Sequence, residues 1–412
     1  MAVRKLLVID TSFSYQAILE RGLKGSVTCR DLDGYFEHVW SVHPFASLVT
    51  TSEWTPKFGS PISYSAAHKH TFIEGKLGRF SFLKKLPTIN FLLSQIGLIF
   101  FLNRLIRREK ISVIRVGDPL YLGLLGYGLS KLTGIPFVVR VGANNEKIRL
   151  TTGTGIMPRF FKTINQERMV ERFVLSRANL VAGANMDNLQ FAIENGAKQA
   201  NCTLFRYGNL IDAVHYVEPK VRPIANEIFT HGMFLLCIAR LELVKKVDDV
   251  VRVLALVRNA GFDIKALLVG DGRERDKLEL LAHNLGVFEH LIFCGNKDQL
   301  WLSCTISKAS VVVSPHTGRA LTEAALGAAP IAAYEIDWQP ELIETGLTGE
   351  IVPYGDWKSL ANSTIKLLSD RQYALNMGKN VRAKVLEMMN PEKLNQHERN
   401  QYTRLLKNFN GL

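Results

Sequence analysis

The sequence predicts an α/β protein with two domains, and three observations carry this prediction. The chain of 412 residues is long enough for two domains of ordinary size, each with a core of its own. Hydrophobic residues make up 47% of the chain and charged residues 22%, a balance typical of soluble globular proteins rather than disordered ones. Short apolar β-branched runs alternate with helical stretches, which is the pattern of βαβ units in a parallel sheet.

The most informative stretch covers residues 309–341. Residues 311–313 form an apolar β-branched run, residues 316–319 a tight connection with one glycine, and residues 321–326 a helix start, before a second buried strand begins. In such a unit the helix N-terminus directs backbone N–H groups and a partial positive charge at the loop, which suits phosphate. The alternative is an unspecialised βαβ unit whose acidic residue merely caps the helix.

Two earlier segments have a similar design. A buried strand at residues 234–238 is followed by Arg240 and Lys245, and another at residues 266–269 ends in a glycine turn. Together these segments resemble the donor-binding domain of GT-B glycosyltransferases, specifically family four of the retaining enzymes. The resemblance covers roughly residues 234–370 and rests on five matches in the family's order and spacing: Ala239-Arg240-Leu241 with Lys245, Val269-Gly270-Asp271-Gly272, Leu291-Ile292-Phe293-Cys294-Gly295, Glu323, and Ala325-Leu326-Gly327-Ala328-Ala329-Pro330-Ile331.

The resemblance implies the GT-B fold, in which two Rossmann-like domains face each other across a cleft. It also implies a retaining transferase that moves a sugar from a UDP- or GDP-sugar to a saccharide or lipid-linked acceptor, in the synthesis of cell-surface polysaccharide or glycolipid. Arg240 and Lys245 would offset the charge on the leaving phosphate, and Glu323 would hold the ribose; these three are the expected catalytic residues. The expected donor-binding residues are Gly208, Asn209, Gly270, Gly295, Asn296, His316, Thr317, Gly318, Arg319 and Ala320.

Two positions depart from the family pattern. Pro315 stands where the first of two glutamates is usual, and Lys246 stands where a glycine is usual. The contact with the donor sugar would then come from His316 or Arg319, or be missing. No cofactor and no metal ion are expected, since the donor-binding stretch, residues 234–370, has no D-x-D motif or histidine-rich cluster. Two other functions stay open: a GT-B epimerase or hydrolase, and a non-catalytic assembly protein that binds nucleotide sugars.

Three segments make up the predicted domain organisation. Residues 1–220 form the acceptor-side domain, residues 221–390 the nucleotide-sugar-binding domain, and residues 391–412 a helix that packs back on the first domain. The proline-marked stretch at residues 218–223 is the expected linker.

Four polar residues of the first domain are further candidates for the cleft. Asn144, Asn145 and Glu146 follow a predicted strand at a point where the family often has a histidine, and Arg206 precedes the predicted cleft residues Gly208 and Asn209. For the first three, a turn without chemistry is an equal alternative.

The charge balance favours anionic partners. Lys and Arg number 51 and Asp and Glu 38, which leaves a formal charge of 51 − 38 = +13. Nucleotide-sugar phosphates and anionic lipid both fit this excess, whereas the sequence has no nucleic-acid-binding motif and no nucleic acid is expected. Five scattered cysteines and an N-terminus without a secretory signal predict a cytoplasmic protein, with a peripheral position at the inner face of the membrane as the open alternative.

One apolar run bears on that alternative. Residues 89–102 are apolar and are followed at once by several basic residues. Fourteen residues are too few to cross a hydrocarbon core that needs about 20. The run is therefore either a core helix or an interfacial helix whose basic end meets anionic lipid. Residues 24–85 show no clear period and are expected to be irregular, either as an insertion that faces the acceptor or the membrane or as a plain surface loop.

Overall fold

The computed structural model describes residues 4–20, 23–46, 57–218 and 232–410. It divides the chain into two compact units, namely unit 1 (Met1–Leu210 with Pro391–Leu412) and unit 2 (Ile211–Asn390). The boundary between the units lies ten residues before the predicted one at 220/221. Most of the predicted linker, residues 219–223, lies outside the described residues.

Unit 1 contains, within the described residues, an eight-stranded sheet with the order β3-β4-β2-β1-β5-β6-β7-β8. The strands pair in parallel except for the antiparallel pair β3 and β4. Their bounds are β1 Lys5–Ile9, β2 His38–His43, β3 Ile62–Ala67, β4 His70–Glu74, β5 Val113–Val116, β6 Phe137–Val141, β7 Leu180–Gly183 and β8 Cys202–Leu204.

The expectation that residues 24–85 are irregular is wrong. Three of the strands, β2, β3 and β4, lie in this stretch, and β2 pairs directly with β1. Their short length and their polar residues, as in the sequence HVWSVH of β2, hide the alternation that usually marks a strand. Pairing with a central strand nevertheless buries five of the six residues of β2.

Helices cover both faces of the unit 1 sheet, as a parallel sheet requires. The side chains of β1, for example, divide between two separate hydrophobic clusters, with Leu7 and Ile9 in one and Leu6 and Val8 in the other. The helices of this part of the chain are α1 Tyr15–Glu20, α2 Gly25–Thr28, α3 Pro87–Glu109, α4 Tyr121–Thr133, α5 Asn145–Thr152, α6 Ile164–Leu175 and α7 Met186–Glu194.

Unit 2 is built on a parallel sheet of six described strands, with the order β11-β10-β9-β12-β13-β14. The strands are β9 Met233–Ile238, β10 Ile264–Val269, β11 Leu291–Gly295, β12 Val311–Ser314, β13 Ile331–Glu335 and β14 Glu350–Pro353. The helices are α8 Val247–Asn259, α9 Arg275–Asn284, α10 Gln299–Ile306, α11 Arg319–Leu326, α12 Gln339–Leu342, α13 Trp357–Ser369 and α14 Arg371–Met388.

Helix α8 is amphipathic. Its five apolar residues at helical spacing, Val247, Val250, Val251, Leu254 and Val257, are all at most 3% exposed. They pack in one cluster with residues of β9, β10 and β12.

The last helix, α15 (Pro391–Asn410), belongs to unit 1 rather than to the unit that precedes it in sequence. Tyr402 of α15 is fully buried and packs with Leu6, Val8 and Phe36. Arg399 of the same helix pairs with Asp33 at 2.7 Å.

Candidate functional site

The strand order of unit 2 creates a switch point between β9 and β12. The chain runs outward from β9 through β10 to β11, and then returns to place β12 on the other side of β9, with Val311 opposite Leu235. The loops that follow β9 and β12 therefore leave the same edge of the sheet side by side. Ligands of open α/β sheets bind in the crevice at this position.

The loop after β9 carries the two predicted cations. Arg240 is exposed, and Lys245 is half-buried in a 3₁₀ turn (Leu243–Lys245). Burial and the nearby charge of Arg240 lower the pKa of Lys245, while Asp337 acts in the opposite direction. Arg240 and Asp337 therefore both lie near enough to Lys245 to influence its charge.

Lys246 adopts the conformation for which glycine is usually selected. Its φ of 53° lies in the left-handed region, immediately before α8 begins. Lys246 therefore makes a turn that glycine would make without strain. The left-handed conformation of a residue with a side chain costs roughly 1–2 kcal/mol of conformational free energy.

Gln339 holds the loop after β12 in place. Its buried amide nitrogen donates to the carbonyl oxygens of Ser314 at 3.2 Å and Tyr334 at 2.7 Å, and its amide oxygen accepts from the Ser314 hydroxyl at 2.8 Å. The same hydroxyl is hydrogen-bonded to that of Thr317. Pro315 is buried in this loop. Proline has no polar side-chain atom, so it cannot make the contact that the usual glutamate would make.

His316 joins the loops after β9 and β12. Its Nδ1 atom lies 3.1 Å from the carbonyl oxygen of Val244, and its Nε2 atom lies 3.8 Å from Oδ2 of Asp337. Gly318 then has a φ of 64° and directly precedes α11, whose first residues are Arg319 and Ala320. The backbone N–H groups of this helix start therefore belong to the same edge as the predicted cations.

Gly270 permits close approach of the loop after β9. The Gly270 N–H donates to the Gly295 carbonyl at 2.9 Å. A Cβ atom on Gly270 would lie 2.0 Å from the carbonyl oxygen of Ala239. Asn296, one residue further, is exposed. The absence of a side chain at Gly270 thus allows the loop that contains Arg240 to pass close to β10.

Glu323 lies one turn inside α11 and is only 6% exposed. Burial raises the pKa of its carboxyl group, while His215 and Arg319 act to lower it and Asp212 to raise it. The imidazole of His215 is itself buried and hydrogen-bonded to Oε1 of Gln299 at 2.9 Å. A buried carboxylate with the cation Arg319 nearby is suited to accept hydrogen bonds from ligand hydroxyl groups.

Six predicted residues belong to unit 1 and are not part of this edge. Gly208 and Asn209 lie in the 3₁₀ turn Gly208–Leu210, and the Arg206 carbonyl accepts a hydrogen bond from Arg140 at 3.3 Å. The other three side chains are engaged inside unit 1: Asn144 caps α5, Asn145 donates to Glu171, and Glu146 pairs with Arg149 and Arg168.

Two residues of the site carried no signal in the sequence. Asp337 and Gln339 are isolated polar residues, and neither belongs to a family motif that we identified. Only the packing of β13 and α12 against the loop after β12 makes the roles of Asp337 and Gln339 visible.

Comparison with known proteins shows the class to which this fold belongs. The structure of HepE from Anabaena in complex with UDP and glucose matches 97% of this chain and all of its own, with a TM-score of 0.70 and 17% identity. Sucrose-phosphate synthase from Thermosynechococcus elongatus matches 98% of this chain and 99% of its own, with a TM-score of 0.75 and 17% identity. The protein has the GT-B glycosyltransferase fold, which confirms the predicted fold class.

The sequence of unit 2 matches a known family. Residues 223–384 match the family described as glycosyl transferases group 1, in agreement with the resemblance that its motifs indicate. N-acetyl-alpha-D-glucosaminyl L-malate synthase of Bacillus anthracis is 31% identical over 208 residues, which are 49% of this chain and 54% of that protein. Phosphatidyl-myo-inositol mannosyltransferase of Mycobacterium leprae is 30% identical over 111 residues, 26% of this chain and 29% of that protein. The chain thus spans about half the length of the first relative and less than a third of the second.

Proposed function

We propose that this protein is a retaining glycosyltransferase that moves a hexose from a nucleoside diphosphate sugar to a saccharide or lipid-linked acceptor. The observation that carries the proposal is the convergence of the loops after β9 and β12, tied by the hydrogen bond between His316 and Val244. This places Arg240, Lys245 and the start of α11 at one edge of the sheet, which suits a pyrophosphate.

The chemistry proposed for this edge is electrostatic. Cleavage of the bond between the sugar and the diphosphate leaves negative charge on the leaving phosphate. Arg240 and Lys245 stabilise that charge, and the N–H groups of Arg319 and Ala320 add hydrogen bonds from the start of α11. Because the fold already orients the N–H groups at the start of α11, these donors need little reorganisation during the reaction.

Of the remaining predicted donor residues, Glu323 binds the donor through hydrogen bonds and the others line or border the site. Glu323 accepts hydrogen bonds from the ribose hydroxyl groups, and His316, Thr317 and Gly318 line the loop beside the phosphates. Gly270, Gly295 and Asn296 border the site from the neighbouring strands. Gly208 and Asn209, with Asn144, Asn145, Glu146 and Arg206 as weaker candidates, stay proposals for the part of the donor or acceptor that unit 1 would contact.

Both uracil and guanine are suitable donor bases. HepE was crystallised with UDP, whereas a relative from Mycobacterium tuberculosis that is 27% identical over 156 residues is GDP-mannose-dependent and acts on a phosphatidylinositol monomannoside. By analogy, we place the protein in the synthesis of surface polysaccharide or glycolipid, at the cytoplasmic side of the membrane.

A thermal-shift titration tests donor binding directly. UDP and GDP are titrated against the wild-type protein, Arg240→Ala, Lys245→Ala and the control Lys265→Ala, which removes an exposed cation from β10. One nucleotide should raise the Tm of the wild type and of the control in a concentration-dependent way, because it binds the folded state. The two site variants should need about tenfold more nucleotide for the same shift. Equal shifts in all four proteins would remove this edge from the phosphate role.

Transfer itself is tested with the matching nucleotide sugar and a panel of saccharide and lipid-linked acceptors. The expected product keeps the anomeric configuration of the donor, which proton NMR coupling constants report. Release of nucleotide without any acceptor would indicate a hydrolase or epimerase, and binding without turnover would indicate an assembly protein.

A further inference from the structure

Helix α3 has one face that is firmly part of unit 1. Leu98, Leu102, Leu105 and Ile106 are at most 6% exposed and pack in the core against β1, β5 and α4. The helix runs for 23 residues, longer than the apolar run that the sequence suggested, because its first residues and its basic last turn are helical as well. By length and composition alone it could cross a membrane.

Polar side chains on the same inner face argue that α3 does not span a membrane. Ser94 donates to the carbonyl oxygen of Lys76 at 2.7 Å, and Gln95 accepts from the Tyr121 hydroxyl at 2.6 Å. Asn90 bonds three times to the backbone of Arg79 and Phe80. Pulling α3 into lipid would break these contacts and leave buried polar groups without partners.

The opposite side, which we call the outer face of α3, is apolar and exposed. Its four apolar residues follow one another at intervals of three, four and four positions. They therefore form a stripe along one side of the helix for about 17 Å. The exposed fractions are 50% for Ile89, 54% for Leu92, 49% for Ile96 and 70% for Phe100. Phe82, in the turn just before the helix, is 77% exposed and stacks on Phe80.

Basic residues stand at both ends of the outer face. Lys84 and Lys85 are exposed before the helix, and Arg104 and Arg107 continue the apolar stripe into its last turns. The sequence has no Asp or Glu between Glu74 and Glu109. An apolar stripe with cationic ends and no acidic residue is complementary to an anionic bilayer, where the stripe meets the acyl chains and the cations meet the headgroups.

We infer that the outer face of α3, together with Phe82, docks the protein on the surface of a bilayer that contains anionic lipid. The helix lies in the interface without crossing it, since its inner face stays in the core of unit 1. The inference rests on the proposed function only in supplying a reason for the contact, which is access to a lipid-linked acceptor; the surface itself is independent of donor binding.

Vesicle co-sedimentation tests the inference. Vesicles of phosphatidylcholine alone and of phosphatidylcholine with one-third phosphatidylglycerol are mixed with the wild type, Leu92→Gln/Phe100→Gln and Lys84→Gln/Lys85→Gln. The control, Leu280→Gln, changes a leucine of α9 that is 63% exposed. The wild type and the control should bind the anionic vesicles at low salt and be released at high salt. Each double variant should bind about tenfold more weakly.

Several outcomes would overturn the inference. These are failure of the wild type to bind anionic vesicles, binding that the double variants leave unchanged, and a dimer in light scattering that Leu92→Gln/Phe100→Gln abolishes. The dimer would mean that a second copy of the chain covers this face. The nucleotide-dependent Tm shift of the same samples keeps the two proposals apart. An intact shift without vesicle binding refutes the docking surface alone, and vesicle binding without a shift refutes the donor site alone.

Discussion

The Nδ1 atom of His316 lies 3.1 Å from the carbonyl oxygen of Val244, although 72 residues separate the two in sequence. Since a carbonyl oxygen only accepts, Nδ1 carries the proton in this hydrogen bond. The bond connects the loop that carries the predicted cations with the loop that begins α11, and it does so at the switch point of the sheet.

Loss of this bond should loosen the donor site more than the fold. His316→Ala is expected to lower the free energy of unfolding by about 1 kcal/mol, the usual net value of one hydrogen bond. Nucleotide affinity should fall about tenfold, because binding must then order the two loops as well. Urea unfolding and nucleotide titration measure the two effects, and His283→Ala, an exposed histidine of α9, is the control. A full loss of stability with unchanged affinity would contradict this role.

Glu323 should link donor binding and stability to pH in opposite directions. Burial raises the pKa of its carboxyl group in the folded protein, so its contribution to stability is complete below the unfolded pKa and is lost as pH rises through the folded pKa. Glu323→Gln is therefore expected to have a higher Tm than the wild type at neutral pH, with a difference that shrinks under acidic conditions.

The same substitution should weaken nucleotide binding at neutral pH. A neutral amide accepts ribose hydroxyl groups less strongly than a carboxylate does. In the wild type, nucleotide affinity should fall as the pH drops through the raised pKa of Glu323. The affinity of the variant should not show this fall at acidic pH. Thermal scans with and without nucleotide across the pH range record both effects. A variant that is less stable than the wild type at neutral pH would show that Glu323 has a stabilising partner instead.

Gly270 is expected to tolerate no side chain. A Cβ atom there would lie 2.0 Å from a backbone oxygen, and its φ of 134° is also unfavourable for other residues. Gly270→Ala should destabilise the protein by about 3 kcal/mol or more in urea unfolding. Gly355→Ala is the matched control: its φ is 84°, but the space around it is open, so only the backbone cost of about 1 kcal/mol is expected. Equal losses in the two variants would place the whole effect in the backbone.

Arg149 should be far more important for stability than its neighbour Arg168. Its side chain is 2% exposed and pairs with Glu167 at 3.0 Å and Glu171 at 2.7 Å, both of which are also buried. Arg149→Met leaves two buried carboxylates without their cation, at an expected cost of about 3–5 kcal/mol.

Arg168 pairs with Glu146 at the surface, where solvent screens the ion pair, so Arg168→Met should have little effect on the free energy of unfolding. Adding Glu171→Gln to Arg149→Met should restore part of the lost stability, since it removes one of the two unpaired charges. Similar losses for the two arginine variants would argue against a buried ion-pair cluster.

Prediction from sequence succeeded where the signal is local. The strand and helix of residues 234–257 follow from an apolar run and a clear helical period. The family motifs lie in loops, and their order and spacing can be recognised in the sequence alone. It failed at β2, β3 and β4, because short strands with histidine, serine and tyrosine have no distinctive pattern. The helix that contains residues 89–102 was anticipated, but not its full length.

By itself, the sequence determined that unit 2 consists of βαβ units and that Arg240, Lys245, Gly318 and Glu323 follow strands or begin a helix. Run length, periodicity and motif spacing are properties of neighbouring residues, so they can be read without coordinates. Only the tertiary structure decided that β12 pairs with β9, that Asp337 and Gln339 support the loop after β12, and which side of α3 stays exposed. These features depend on packing between segments far apart in the chain, and no local pattern encodes which segment will be the neighbour.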